Sequence, residues 1–129
     1  GEENIFIFGL TTEQVAEVKA NNYNPWDYYH GNPELKQAVD MITNGFFSVD
    51  EPDRYQAIGD TLLGKGDQYL LLADYASYIE TQDAVGQLYK DEEEWSRKAI
   101  LNVARIGKFS SDRTIGEYAE NIWNVKPAE

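Results

Sequence analysis

Between Asp91 and Pro127 the chain carries start and stop signals for two helices in direct succession. Asp91 suits a helix cap, and Glu94 stands at the third helical position as in a capping box. The Glu92-Glu93-Glu94 run puts negative charge at the positive end of the helix dipole. Trp95, Ala99, Val103 and Ile106 recur as one apolar stripe at helical spacing, and Gly107 offers a left-handed stop. After Lys108-Phe109, Ser110 or Ser111 caps a second helix in which Ile115, Tyr118, Ala119, Ile122 and Trp123 share a face and Pro127 closes the run. Both stripes call for an apolar surface to pack on.

The remainder reads as more helices and two short apolar runs. Asn4-Ile5-Phe6-Ile7-Phe8 and Tyr69-Leu70-Leu71-Leu72-Ala73 are apolar without alternation, the pattern of strands buried on both faces of a parallel sheet. Between them, Thr11 with Gln14 forms a capping box, with Leu10 against Val15 as its hydrophobic staple, for a helix to about Ala20. Asn24-Pro25 and Asn32-Pro33 each set a capping residue before a proline suited to the first helical position. Leu35, Val39, Ile42 and Phe46 continue the second of these as a stripe that Gly45 terminates. Pro52 opens a helix with Tyr55, Ile58 and Leu62 on one face, ending near Gly64. Asp74 is expected to cap the helix carrying Tyr75, Tyr78, Ile79, Val85, Leu88 and Tyr89, interrupted by Gln82.

Two buried-type strands about sixty residues apart cannot cover their own edges. The expected fold class is therefore an α/β fragment, mainly helical with two short strands, forming the tail of a larger doubly wound domain whose other strands precede Gly1. With 129 residues, 42% of them hydrophobic, the chain is long enough to bury a core. A formal charge of −12 opposes binding to a phosphate backbone, and no run reaches the roughly 20 apolar residues of a bilayer span. Cysteine is absent, which excludes disulfides and thiolate metal sites and suits an intracellular setting.

Few residues are placed for chemistry. The Gly59 to Gly66 run has the glycines and the lysine, Lys65, of a phosphate-binding loop, but Gly66 stands where a hydroxyl residue should hold magnesium, and a helix precedes it where the motif needs a strand. It is read as a helix end followed by a turn. His30, the single histidine, is read as an exposed turn residue. Trp26, Tyr28 and Tyr29 could stack on a sugar ring, although aromatics beside a helix start more often pack. Glu92, Glu93 and Glu94 are assigned to the helix dipole rather than to glycoside cleavage. Lys108, Ser110, Ser111, Asp112 and Arg113 could gather an anion at a helix start, against the plainer reading of a capped turn with an ion pair.

The string EEEWSRKAILNVARIGKFSSDRTIGEYAENIW resembles the extreme C-terminal segment of the α-glucan phosphorylases. GEENIFIFG and YLLLADYASYIETQDAVGQLY resemble the same family in the same order, as do YNPWDYY, NPELKQ and NGFFS in the more variable stretch from Asn21 to Asp67. The resemblance implies a two-domain glycosyltransferase (GT-B) fold with Rossmann-like halves, residues 1–129 forming the last part of the cofactor-bearing domain as a single unit, incomplete without upstream strands. It implies a cytoplasmic, homodimeric parent enzyme that uses pyridoxal phosphate and inorganic phosphate to release glucose 1-phosphate from α-1,4-glucan ends. The family's cofactor lysine precedes the GEENIFIFG block, and Lys19, Lys36, Lys65, Lys90, Lys98, Lys108 and Lys126 do not occupy its motif. The expectation is thus a structural segment with no catalytic, cofactor-binding or metal-binding residue, inactive alone, whose partner is the remainder of the phosphorylase chain. The competing reading is a free-standing acidic, mostly helical module that binds a protein partner.

Overall fold

The computed structural model describes residues 2–125, and all secondary structure among them is helical. Two compact units are distinguished, Ile7–Asp83 and Gly1–Phe6 with Ala84–Glu129.

In the Ile7–Asp83 unit, α1 (Thr12–Ala20), α2 (Pro25–Gly31) and α3 (Pro33–Thr43) begin where side chains can satisfy their first N–H groups. Thr11 and Gln14 form the expected capping box. Asn24 accepts from the Trp26 N–H, and Asn32 accepts from Glu34 and Leu35, each just ahead of its proline. Pro52–Tyr55 is a 3-10 turn leading into α4 (Gln56–Gly59) and then a π-turn at Asp60–Gly64. A Cβ on Gly59 would meet the Thr43 methyl at 2.3 Å, so glycine is what allows α3 and α4 to approach. The core gathers Tyr29, Leu35, Val39, Leu62 and Leu72, with Tyr28, Leu63 and Tyr75 packed around it. Phe46, assigned by periodicity to the α3 stripe, lies beyond the helix end and is exposed.

The two expected strands are not formed, and the α/β assignment is corrected to an all-helical one among the described residues. A strand needs a neighbour to take its backbone hydrogen bonds, and neither run has one. At the second, Leu70 takes a left-handed φ of 57° and Leu71 opens α5 (Leu71–Leu88). Asp67 Oδ2 accepts from the Leu72 N–H at 2.7 Å, the service that sequence assigned to Asp74. Asp74, inside the first turn of α5, instead accepts from the Leu10 N–H at 2.8 Å, while Ser77 Oγ accepts from Gly9 at 3.1 Å. Those bonds hold the end of the first run to helix side chains. Ile7 is 67% exposed, and Phe8 meets Tyr78 edge-on at 5.2 Å.

In the other unit, α6 (Glu92–Arg105) starts on Asp91, whose carboxylate accepts from the Glu94 N–H at 3.0 Å. Glu94 does not complete the capping box; it turns to Arg97, which donates to it at 2.6 and 2.7 Å. Nor is Gly107 a left-handed stop: α6 ends at Arg105 and tightens into a 3-10 turn over Ile106–Phe109. Ser110 caps α7 (Ser111–Tyr118), which widens into a π-turn at Ala119–Trp123 and stops at Asn124, φ 50°. Pro127, the expected terminator, lies outside the described residues. The Glu2–Asn4 turn rests on α6: Lys98 donates to the Glu3 carbonyl, Asn102 donates to the Asn4 carbonyl at 2.6 Å, and Arg105 pairs with Glu3 at 3.6 Å.

Candidate functional site

The polar and aromatic groups of the Ile7–Asp83 unit converge around α2. From α1 the chain turns through Asn21 and Asn22, the latter at φ 60°, into Tyr23. Tyr23 donates its hydroxyl to Asp67 Oδ2 at 2.7 Å, the same oxygen that takes the Leu72 N–H. Burial first, and then this hydrogen bond, push the Tyr23 phenol well above its ordinary pKa. Asp67 is thereby a buried tie between the segment before α2 and the start of α5. The Tyr23 ring lies 5.3 Å from Tyr28, and both border an open groove of about 570 Å³. The groove runs between the ends of α1 and α2, with Leu35, Leu72 and Ala76 among its apolar lining.

On α2 and α3, Tyr29 donates to Asp40 Oδ1 at 2.5 Å, and Lys36 donates to both Tyr29 at 3.0 Å and Asp40 at 2.5 Å. The Asp40 carboxylate, and secondarily the Tyr29 hydroxyl, hold the Lys36 ammonium above its usual range; Lys36 in turn holds Asp40 below the usual carboxylate range. This triad consumes its own hydrogen-bonding groups. It braces α2 on α3.

Of the residues that sequence pointed to, His30 is exposed, as expected, but in the last turn of α2 rather than in a loop, stacked 5.7 Å from Trp26. Trp26 and Tyr29 meet edge-on at 5.3 Å, so the Trp26, Tyr28 and Tyr29 cluster is divided: Tyr29 serves the core, and Tyr28 faces the groove. Gly59 to Gly64 is helical and Lys65 follows as its cap, the bland reading of the glycine-rich run. At the expected anion site Arg113 donates to the Lys108 carbonyl and to Glu117, and Ser110 caps the Arg113 N–H, which makes it a capped turn with an ion pair. Asp67 and Tyr23 were missed. The signal lay in Gly66-Asp67, a turn dipeptide directly before a helix start.

No group of three or more His, Cys, Asp or Glu side chains able to hold a metal is found among the described residues, and no helix among them is long and apolar enough to cross a membrane. The groove combines apolar lining with the polar side chains of Asn21, Asn22, Asn24 and Asn32. Lys36 and Asp40 neutralise each other.

A family model described as carbohydrate phosphorylase matches residues 1–125. The chain is 54% identical over 127 residues to the glycogen phosphorylase of Synechocystis sp., a match covering 98% of this chain and 15% of that protein. It is 50% identical over 129 residues to the human brain form of glycogen phosphorylase and 46% identical over 129 residues to the human liver form, in each case across 100% of this chain and 15% of the relative. It thus spans about 15% of the length of the curated relatives it matches. With the family model matched over nearly all its length and relatives about half identical across it, the chain belongs to the carbohydrate phosphorylases.

Proposed function

We propose that this chain is the C-terminal segment of the cofactor-bearing domain of a longer α-glucan phosphorylase. The observation that carries the reading is identity of about half, 54% and 50%, to glycogen phosphorylases over essentially the whole chain. The parent acts on the terminal α-1,4 bond of a glucan. A phosphate oxygen bonds to the anomeric carbon, the glycosidic bond breaks, and the departing 4-hydroxyl takes the proton that the phosphate surrenders, giving glucose 1-phosphate. The parent works in the cytoplasm as a homodimer with pyridoxal phosphate as cofactor.

Neither the Lys36 site nor the groove fits that cofactor. A Schiff-base lysine must reach its neutral amine, whereas Asp40 and Tyr29 hold Lys36 protonated. In the groove a cofactor phosphate would face Glu17 and Asp27, with no lysine or arginine in the lining. On this reading the cofactor and its chemistry belong to other parts of the parent, and this segment's contribution to the phosphorolysis step is structural. Support comes from α6 and α7 and the turns that follow them, whose stripe residues Val103, Ile106, Ile115 and Ile122 remain exposed, Val103 at 76%, as expected of helices completed by more chain.

The test is glucose 1-phosphate release from maltoheptaose and inorganic phosphate, measured for the full-length parent and for this chain alone. Activity in the parent and none in the chain is expected. An active chain, or an inactive parent loaded with pyridoxal phosphate, overturns the reading.

A further inference from the structure

We propose that the groove between the ends of α1 and α2 binds a short stretch of neutral α-1,4-glucan. The choice of glucan rests on the reading of the parent as a phosphorylase; the preference for a neutral, hydroxyl-rich ligand rests on the groove itself. A sugar presents flat C–H faces and a rim of hydroxyls that both donate and accept. The groove offers counterparts for both. Tyr23 and Tyr28 supply aromatic surface, and Tyr23 is fixed in place by its bond to buried Asp67. Asn21 and Asn22 line the groove with side-chain amides that make no hydrogen bond to other described residues, and each amide can donate and accept. Asn32 spends its oxygen on capping α3, which leaves its NH₂ for a ligand.

Charge narrows the class further. Glu17 and Asp27 are the ionisable carboxylates of the lining, and no lysine or arginine accompanies them. Carboxylates accept well from hydroxyls, and they repel phosphate. An apolar peptide laid in the groove would bury both charges unpaired, at a cost its contacts do not offset. The volume, about 570 Å³, lies within the roughly 300–1,000 Å³ of small-molecule sites.

The experiment is hydrogen–deuterium exchange of the full-length parent titrated with maltoheptaose, read on peptides spanning residues 17–32. Exchange there should slow severalfold with maltoheptaose and stay unchanged with glucose 1-phosphate. Asn22→Gly, which suits the left-handed φ of that position, should raise the concentration needed by about three- to tenfold, the loss of one or two hydrogen bonds; Asn21→Ala should act likewise. The proposal is overturned if maltoheptaose produces no slowing, including because the parent already protects these amides, if glucose 1-phosphate slows them equally, or if neither variant moves the midpoint. Phosphorolysis is assayed on the same preparation. Activity without protection removes the groove alone, and protection without activity removes the phosphorylase reading while leaving the groove.

Discussion

The Ile7–Asp83 unit and the unit formed by Gly1–Phe6 with Ala84–Glu129 use the same local chemistry and reach different ends. Both start helices on Asn, Thr, Asp or Ser caps. The first then buries its apolar stripe, with Leu35 and Val39 each 3% exposed. In the second, the stripe residues Val103, Ile106, Ile115 and Ile122 are all exposed, and the one buried residue among those described is a polar one, Asn4, whose Oδ1 finds no partner. Caps and periodicity set where a helix starts and which face it offers. Stability needs a second apolar surface; the first unit carries a small core of its own, although Ile7, Phe46, Phe47 and Leu71 stay exposed, while on the proposed reading the second is completed by the rest of the parent.

The largest effect expected in the chain is at Asp67. Asp67→Ala strips the Tyr23 hydroxyl and the Leu72 N–H of their shared acceptor and should cost about 2–4 kcal/mol, read as a fall in the urea midpoint. Gly59→Ala should follow at about 1–3 kcal/mol, because the new methyl meets Thr43. If either is silent, the first unit lacks the packing assigned to it. Phe109→Ala, at a side chain 76% exposed, should change the stability of the chain alone by less than about 0.5 kcal/mol. In the parent the same substitution should cost about 3–5 kcal/mol, and equal effects in the two settings would erase the contrast between the units.

The smallest effect is acid dependence. Asp40 is held low by Lys36 and Tyr29, and Glu94 is held low by Arg97. A lowered carboxyl contributes stability that is present above its unfolded value, near 4, and is lost as pH falls through its folded value. Urea midpoints should therefore decline as pH falls below about 4, and Asp40→Asn should flatten part of that decline. Lys36, raised by the same contact, contributes below the ordinary lysine range and loses its contribution only as pH rises through its folded value. Both side chains are substantially exposed, so solvent screens the pair and the change is slight.

Sequence made the helix starts legible because a cap is a local event: Thr11, Asn24, Asn32, Asp91 and Ser110 each act within three residues of themselves. It failed where the outcome depends on what lies opposite. An apolar run such as Ile5 to Phe8 or Tyr69 to Ala73 is compatible with a buried strand, yet a strand exists only with a neighbour, and Leu70's left-handed turn with Asp67 as acceptor made the second run a helix start. The Glu94 capping box failed for a similar reason, since Arg97 one turn away offers the carboxylate two donors. Of the groove, Tyr28 could be read as a candidate sugar contact. Tyr23 and Asp67, separated by 44 residues, come together only through the fold.

The most direct test of the difference between the units is limited proteolysis of this chain alone, with the fragments identified by mass. The first cuts should fall within residues 92–125, and a fragment retaining 7–83 should persist. First cuts within α2 or α3, with residues 92–125 left intact, would contradict the contrast between a first unit with a core of its own and a second without one.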